Sequence, residues 1–178
     1  MEKIKKIGLL MMVFIIPIML IGCSSAKEEK NIVEEKSFGS YEVLNGWIQE
    51  KTHSTEDVTF YVKEGTENDN PPNNIAVSEG KNQFKESEHE KFKAAIMAQV
   101  NAQMPEDSDV KIDMEGKTTE NKNKVYIITI KEKNMETKFY YIVGDYRFVM
   151  IQASSFDNSN QIYKVSDHIA DSFVWKDK

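Results

Sequence analysis

VYIITI, residues 125–130, and FYYIV, residues 139–143, decide the architecture, because both are apolar at consecutive positions. A strand with one wet face alternates apolar and polar residues; a strand covered on both faces does not. The two segments are therefore expected at the centre of a sheet with a layer packed on each side. Upstream, VKIDME (110–115) alternates Val110, Ile112 and Met114 with Lys111, Asp113 and Glu115, the pattern of a strand with one wet face. Downstream, YRFVMIQAS (146–154) completes four strand candidates in succession. Glu132 to Glu136 and Gly144-Asp145 are connections short enough for antiparallel hairpins.

Two amphipathic segments supply the covering layers. From Glu88 to Met104, Phe92, Ile96, Val100 and Met104 recur every fourth residue, and Ser87-x-x-Glu90 reads as a capping box. Pro105 ends that helix. From Asn158 to Phe173, Ile162, Val165, Ile169 and Phe173 share a second stripe. Nearer the N-terminus, Tyr41 to Leu44, Val58 to Val62 and Ile75 to Ser78 read as strands, and Pro71-Pro72 marks Glu64 to Asn74 as a loop.

The N-terminus has the three parts of an export signal. Lys3, Lys5 and Lys6 precede an apolar run from Ile7 to Ile21, and Leu20-Ile21-Gly22-Cys23 resembles the bacterial lipobox. The run is shorter than the roughly 20 residues of a spanning helix, and Pro17 interrupts it. The expectation is a cleaved signal peptide over residues 1–22 and a lipidated Cys23, with an uncleaved signal anchor or cleavage elsewhere as the alternatives. The resemblance implies a diacylglyceryl group, which supplies the two chains that stable anchoring takes. Cys23 is the only cysteine, so no disulfide and no thiol chemistry remain. Ser24 to Ser37 is polar and charged, which makes residues 23–38 a lipidated N-terminus and flexible tether, unless Ile32 and Val33 pack as a short extra element. Residues 39–178 form one domain.

Without residues 1–22, which carry three lysines and one glutamate, the net charge of −6 becomes −8. That balance argues against nucleic acid and against electrostatic docking on anionic lipid. Arg147 is the sole arginine, so bidentate forks for phosphate or carboxylate are scarce.

The order strands, helix, four-strand meander, helix ends in IADSFVW (169–175). With Asn74-Ile75-Ala76-Val77 and the tyrosine-rich segment Phe139 to Ile142, it resembles the PsbP-like family over residues 40–175. The resemblance implies an α+β fold, an α/β/α sandwich around a central antiparallel sheet. It also implies an accessory rather than catalytic role, since the photosynthetic members support a larger complex and many bacterial relatives are lipoproteins.

Candidate chemistry is sparse. His53, His89 and His168 are far apart in sequence. His168 and Asp171, at i and i+3, are the one pair with metal-ligand spacing, but no HExxH accompanies them. Asp107, Asp109 and Asp113 lack the glycine and closing glutamate of a calcium loop. No G-x-S-x-G elbow and no glycine-rich phosphate loop occur. Trp47, Tyr140, Tyr141, Tyr146, Phe148 and Trp175 are aromatic anchors for a core or an interface. The expected protein is an extracytoplasmic, membrane-anchored lipoprotein that binds or supports an envelope protein, with no catalytic residue, metal or cofactor assigned. The alternatives are small-molecule or ion binding and, last, a hydrolase.

Overall fold

A computed structural model describes residues 31–104, 109–132, 135–157 and 159–176. Strands β1 (Ile32–Glu35), β2 (Gly39–Val43), β3 (Trp47–Gln49), β4 (Val58–Lys63) and β5 (Asn74–Lys81) precede helix α1 (His89–Gln103). The meander β6 (Lys111–Thr118), β7 (Lys124–Glu132), β8 (Met135–Gly144) and β9 (Arg147–Ser155) follows, then α2 (Gln161–Ser172) and β10 (Val174–Trp175). Seven strands form one antiparallel sheet in the order β3-β4-β5-β9-β8-β7-β6, and β1-β2-β10 form a second, smaller one.

The doubly apolar segments lie where their pattern requires. Val125 and Ile127 on β7, with Tyr140 and Ile142 on β8, face α2 in the larger core. Their neighbours Tyr126, Ile128, Tyr141 and Val143 point to the opposite face and pack with Phe92 of α1. The chain thus has an α+β fold, a single domain with a large antiparallel sheet between two helices. On the α2 side, Ile162, Val165 and Ile169 are buried, each contributing about 1.5–3 kcal/mol. The Tyr41 and Tyr61 hydroxyls meet at 2.8 Å in the interior and tie the small sheet to the large one. Burial pushes Tyr41 up to about 12, and Tyr61 is also raised.

Two expectations are corrected. The tether does not extend to residue 38. Ile32–Glu35 is a strand, paired antiparallel with β2 from Ile32↔Val43 to Glu35↔Ser40. Backbone bonding holds it, since the Ile32 and Val33 side chains remain exposed. The helix cap is also displaced. A 3-10 turn over Glu86–Glu88 precedes α1, and Glu88, not Glu90, accepts from the Lys85 backbone amide at 3.2 Å. Glu90 is occupied elsewhere, by a hydroxyl on the sheet. Among the described residues no helix is long and apolar enough to cross a membrane.

Candidate functional site

The β6–β7 hairpin carries its turn between the start of α1 and the end of α2, and polar side chains collect on both sides of it. On the α2 side, Asn123 Nδ2 donates to the Phe173 carbonyl at 2.8 Å, and Asn121 Nδ2 donates to the carbonyls of Asp171 and Phe173. These bonds satisfy carbonyls that a helix end leaves without partners. Lys117 Nζ bridges Asp167 at 3.2 Å and Asp171 at 2.9 Å. Burial alone would lower the Lys117 pKa; the two carboxylates outweigh it and raise it.

A groove of about 630 Å³ runs along this side between Glu42, Lys117, Asn121, His168 and Ser172. His168 Nε2 lies 3.2 Å from Glu42 Oε2 and 3.2 Å from Asn31 Nδ2. Asn31 also donates to Glu42, and this bond, followed by the one from His168, holds the Glu42 carboxyl below the usual range. Serine, histidine and glutamate therefore meet here, but not as a hydrolytic triad. Ser172 Oγ donates to the His168 carbonyl at 2.7 Å and accepts from the Glu42 amide at 2.9 Å. The histidine ring nitrogen faces Glu42, so it is not placed to take the serine proton. The arrangement clamps the open edge of β2 to α2.

On the α1 side lies a cleft of about 350 Å³. Tyr126 donates its hydroxyl proton to Glu90 Oε1 at 2.9 Å, so His89 Nδ1, 2.6 Å from the Tyr126 hydroxyl oxygen, is assigned as the donor to that hydroxyl. Burial and then the Glu90 carboxylate push Tyr126 up to about 12, which keeps it a proton donor at neutral pH. In turn the Tyr126 bond holds Glu90 below the usual carboxylate range. Lys93 Nζ sits 5.5 Å from the centre of the Tyr126 ring. Lys117 and Thr118 line both the cleft and the groove.

The sequence candidates are distributed accordingly. His89 and His168 come to the same end of the molecule, on opposite sides of the hairpin. His53 lies elsewhere, 2.6 Å from Glu50, whose carboxyl is held down at about 2, chiefly by the Thr52 amide. His168 and Asp171 do not act together, because the former faces Glu42 and the latter Lys117. Among the described residues no three His, Cys, Asp or Glu side chains group as metal ligands. Asp107 lies outside the described residues, as do Cys23 and the leader. Of the aromatic anchors, Trp47, Tyr140, Tyr141 and Trp175 are buried, Phe148 is half-buried and Tyr146 is exposed. Glu42, Lys93, Lys117, Lys124 and Tyr126 were not singled out from sequence. Lys124 sits opposite Thr118 in the β6–β7 register, a signal readable only once the hairpin is known.

No family model matches the sequence, and no curated protein does. Among solved structures, cyanobacterial PsbP (CyanoP) from Synechocystis sp. PCC 6803 aligns over 88% of this chain and 99% of that one. The TM-score is 0.53 at 12% sequence identity. The fold is PsbP-like. At that identity the likeness carries the PsbP-like architecture and no residue roles.

Proposed function

We propose that the chain is an extracytoplasmic lipoprotein, anchored to the membrane through Cys23, whose PsbP-like domain binds or supports another envelope protein without catalysing a reaction. One observation carries the reading: Asn31, eight residues after Cys23, is bonded to Glu42 beside β1. The chain from Cys23 to Asn31 is thus eight residues long. Eight residues span at most about 28 Å when fully extended, and as a flexible coil about 15 Å. The polar end at Asn31, His168 and the β6–β7 turn is thereby kept close to the bilayer, where a membrane partner can reach it. The acidic balance supports a partner other than nucleic acid, and the Ser172–His168 geometry supports a role other than hydrolysis.

Mass spectrometry of the mature N-terminus tests the anchor. The expected result is a cleaved chain starting at a diacylglyceryl-modified Cys23, with Cys23→Ala lost from the membrane fraction. An unmodified Cys23 in the native host overturns it. For the partner, the tethered protein is recovered from membrane extracts beside an unrelated lipoprotein; recovery of the same proteins by both counts against a specific accessory role. A second reading, small-ligand binding, is favoured by the lysines around the α1-side cleft.

A further inference from the structure

Two ammonium groups from separate elements border the cleft beside Tyr126: Lys93 of α1 and Lys124 of β7. Lys124 Nζ donates to the Thr118 hydroxyl at 2.9 Å, and no carboxylate pairs with it among the described residues. Among the described residues Glu90 is the only acidic residue lining the cleft, and both of its oxygens are engaged, one by Tyr126 and the other by Lys93 at 3.6 Å. Lys117 also lines the cleft, but its ammonium is held by Asp167 and Asp171 on the α2 side. The floor is open because residue 116 is glycine; a Cβ there would come within 3.1 Å of the Tyr126 ring. In a chain with a net charge of −6, the cleft sets two ammonium groups against one carboxylate over a concave surface, with the Lys124 charge uncompensated among the described residues.

We propose that this cleft binds a phosphate-class oxyanion, held by Lys93 and Lys124 with the Thr118 hydroxyl as a further donor. Ammonium groups act as point charges on phosphate and need no arginine fork. The same chemistry is offered by a soluble phosphate and by the headgroup of an anionic phospholipid, and the site lies at the end of the fold nearest Asn31. The inference deepens the ligand-binding reading and does not rest on the anchor.

The test uses the full-length protein in dodecyl maltoside, followed by NMR while sodium phosphate replaces sodium chloride at constant ionic strength, so that general screening is unchanged. Saturable shifts at Gly116, Thr118, Tyr126 and His89 are expected. The Lys93→Gln/Lys124→Gln double variant should weaken the apparent affinity at least about tenfold. Lys138→Gln, over the Tyr163 ring on the other side of the sheet, should leave it unchanged. In a second arm, nanodiscs of phosphatidylglycerol are compared with phosphatidylcholine. The same shifts with phosphatidylglycerol alone support the site with a headgroup as its occupant, whereas saturation by inorganic phosphate supports a soluble one. No saturable shift in either arm, or undiminished binding by the double variant, overturns the proposal. N-terminal mass reads the anchor independently, so the two failures are distinguishable.

Discussion

α2 buries six of its twelve residues against the sheet, whereas α1, three residues longer, buries only Phe92. Both helices cover comparable strands, since β7 and β8 present large apolar side chains alternately to each face. On the α2 side the small sheet closes the core, and Phe173 stacks on Phe38 and meets Trp175 edge-on. On the α1 side Ile96, Met97, Val100, Phe139, Phe148 and Met150 remain half-buried. Residues 94–104 of α1 and its end contain no charged side chain. An apolar stripe with helical spacing therefore predicts the helix and its orientation, but not how deeply it sinks. Depth is set by what else covers that face. The α1 layer is accordingly the part with fewer buried contacts, the kind of unit that opens at lower free energy than the global core.

Truncation gives the largest contrast. Ile169→Ala on α2 should cost about 2–5 kcal/mol, as for a fully buried site that cannot collapse, while Ile96→Ala on α1 should cost about 1 kcal/mol, reflecting its partial burial. Urea denaturation measures both, and equal losses would break the contrast. An added methyl gives a second, smaller one. At Gly39 a Cβ would run into the Val174 carbonyl and the Phe173 ring, so Gly39→Ala should cost about 1–3 kcal/mol. At Gly80 the obstruction is the half-buried Phe148 ring alone, which can turn toward solvent. Gly80→Ala should lower the melting temperature less than Gly39→Ala; the reverse order would mean that Phe148 is fixed.

Acid provides the smallest and most local effect. Glu90 is held low by the Tyr126 bond, and Glu42 by Asn31 and then His168. A carboxylate with a depressed folded pKa contributes stability that is fully present above its unfolded value and is lost as pH falls through the folded one. Below the ordinary carboxylate range, hydrogen exchange should therefore quicken in β1 and at the start of α1 before it does in α2. Glu42→Gln and Glu90→Gln should each remove the acid response at its own site only. Simultaneous exchange of all three elements would show a single cooperative unit in place of two layers.

The meander and both helices were legible because their signals are local: periodicity in α2, and consecutive apolar residues in β7 and β8; the PsbP-like fold was legible only as a resemblance, in the element order and in IADSFVW (169–175). What escaped depends on partners distant in sequence. Ile32 and Val33, set between lysines and glutamates, become β1 only through pairing with β2. The ends of β5 and β6 look polar, yet Glu79 and Lys81 are held by Val149 and Arg147, and Lys117 and Thr118 by Val125 and Lys124. Glu90 gave up the expected cap because Tyr126, 36 residues away, offers it a hydroxyl. The site was least legible of all, since Lys93 and Lys124 come from different elements and only the fold makes them neighbours.

The three-stranded sheet joins the two ends of the domain, with Ser40 of β2 opposite Val174 of β10. A chain emerging N-terminus first, from a ribosome or through a translocation pore, would present Gly39–Val43 long before its partner. Until Val174 and Trp175 arrive, one edge of β2 has no strand beside it, and Gly144 lacks the indole ring that packs over it. Pairing of β10 with β2 is thus the step that closes the small sheet, and a polypeptide cut before Val174 would leave that closure undone.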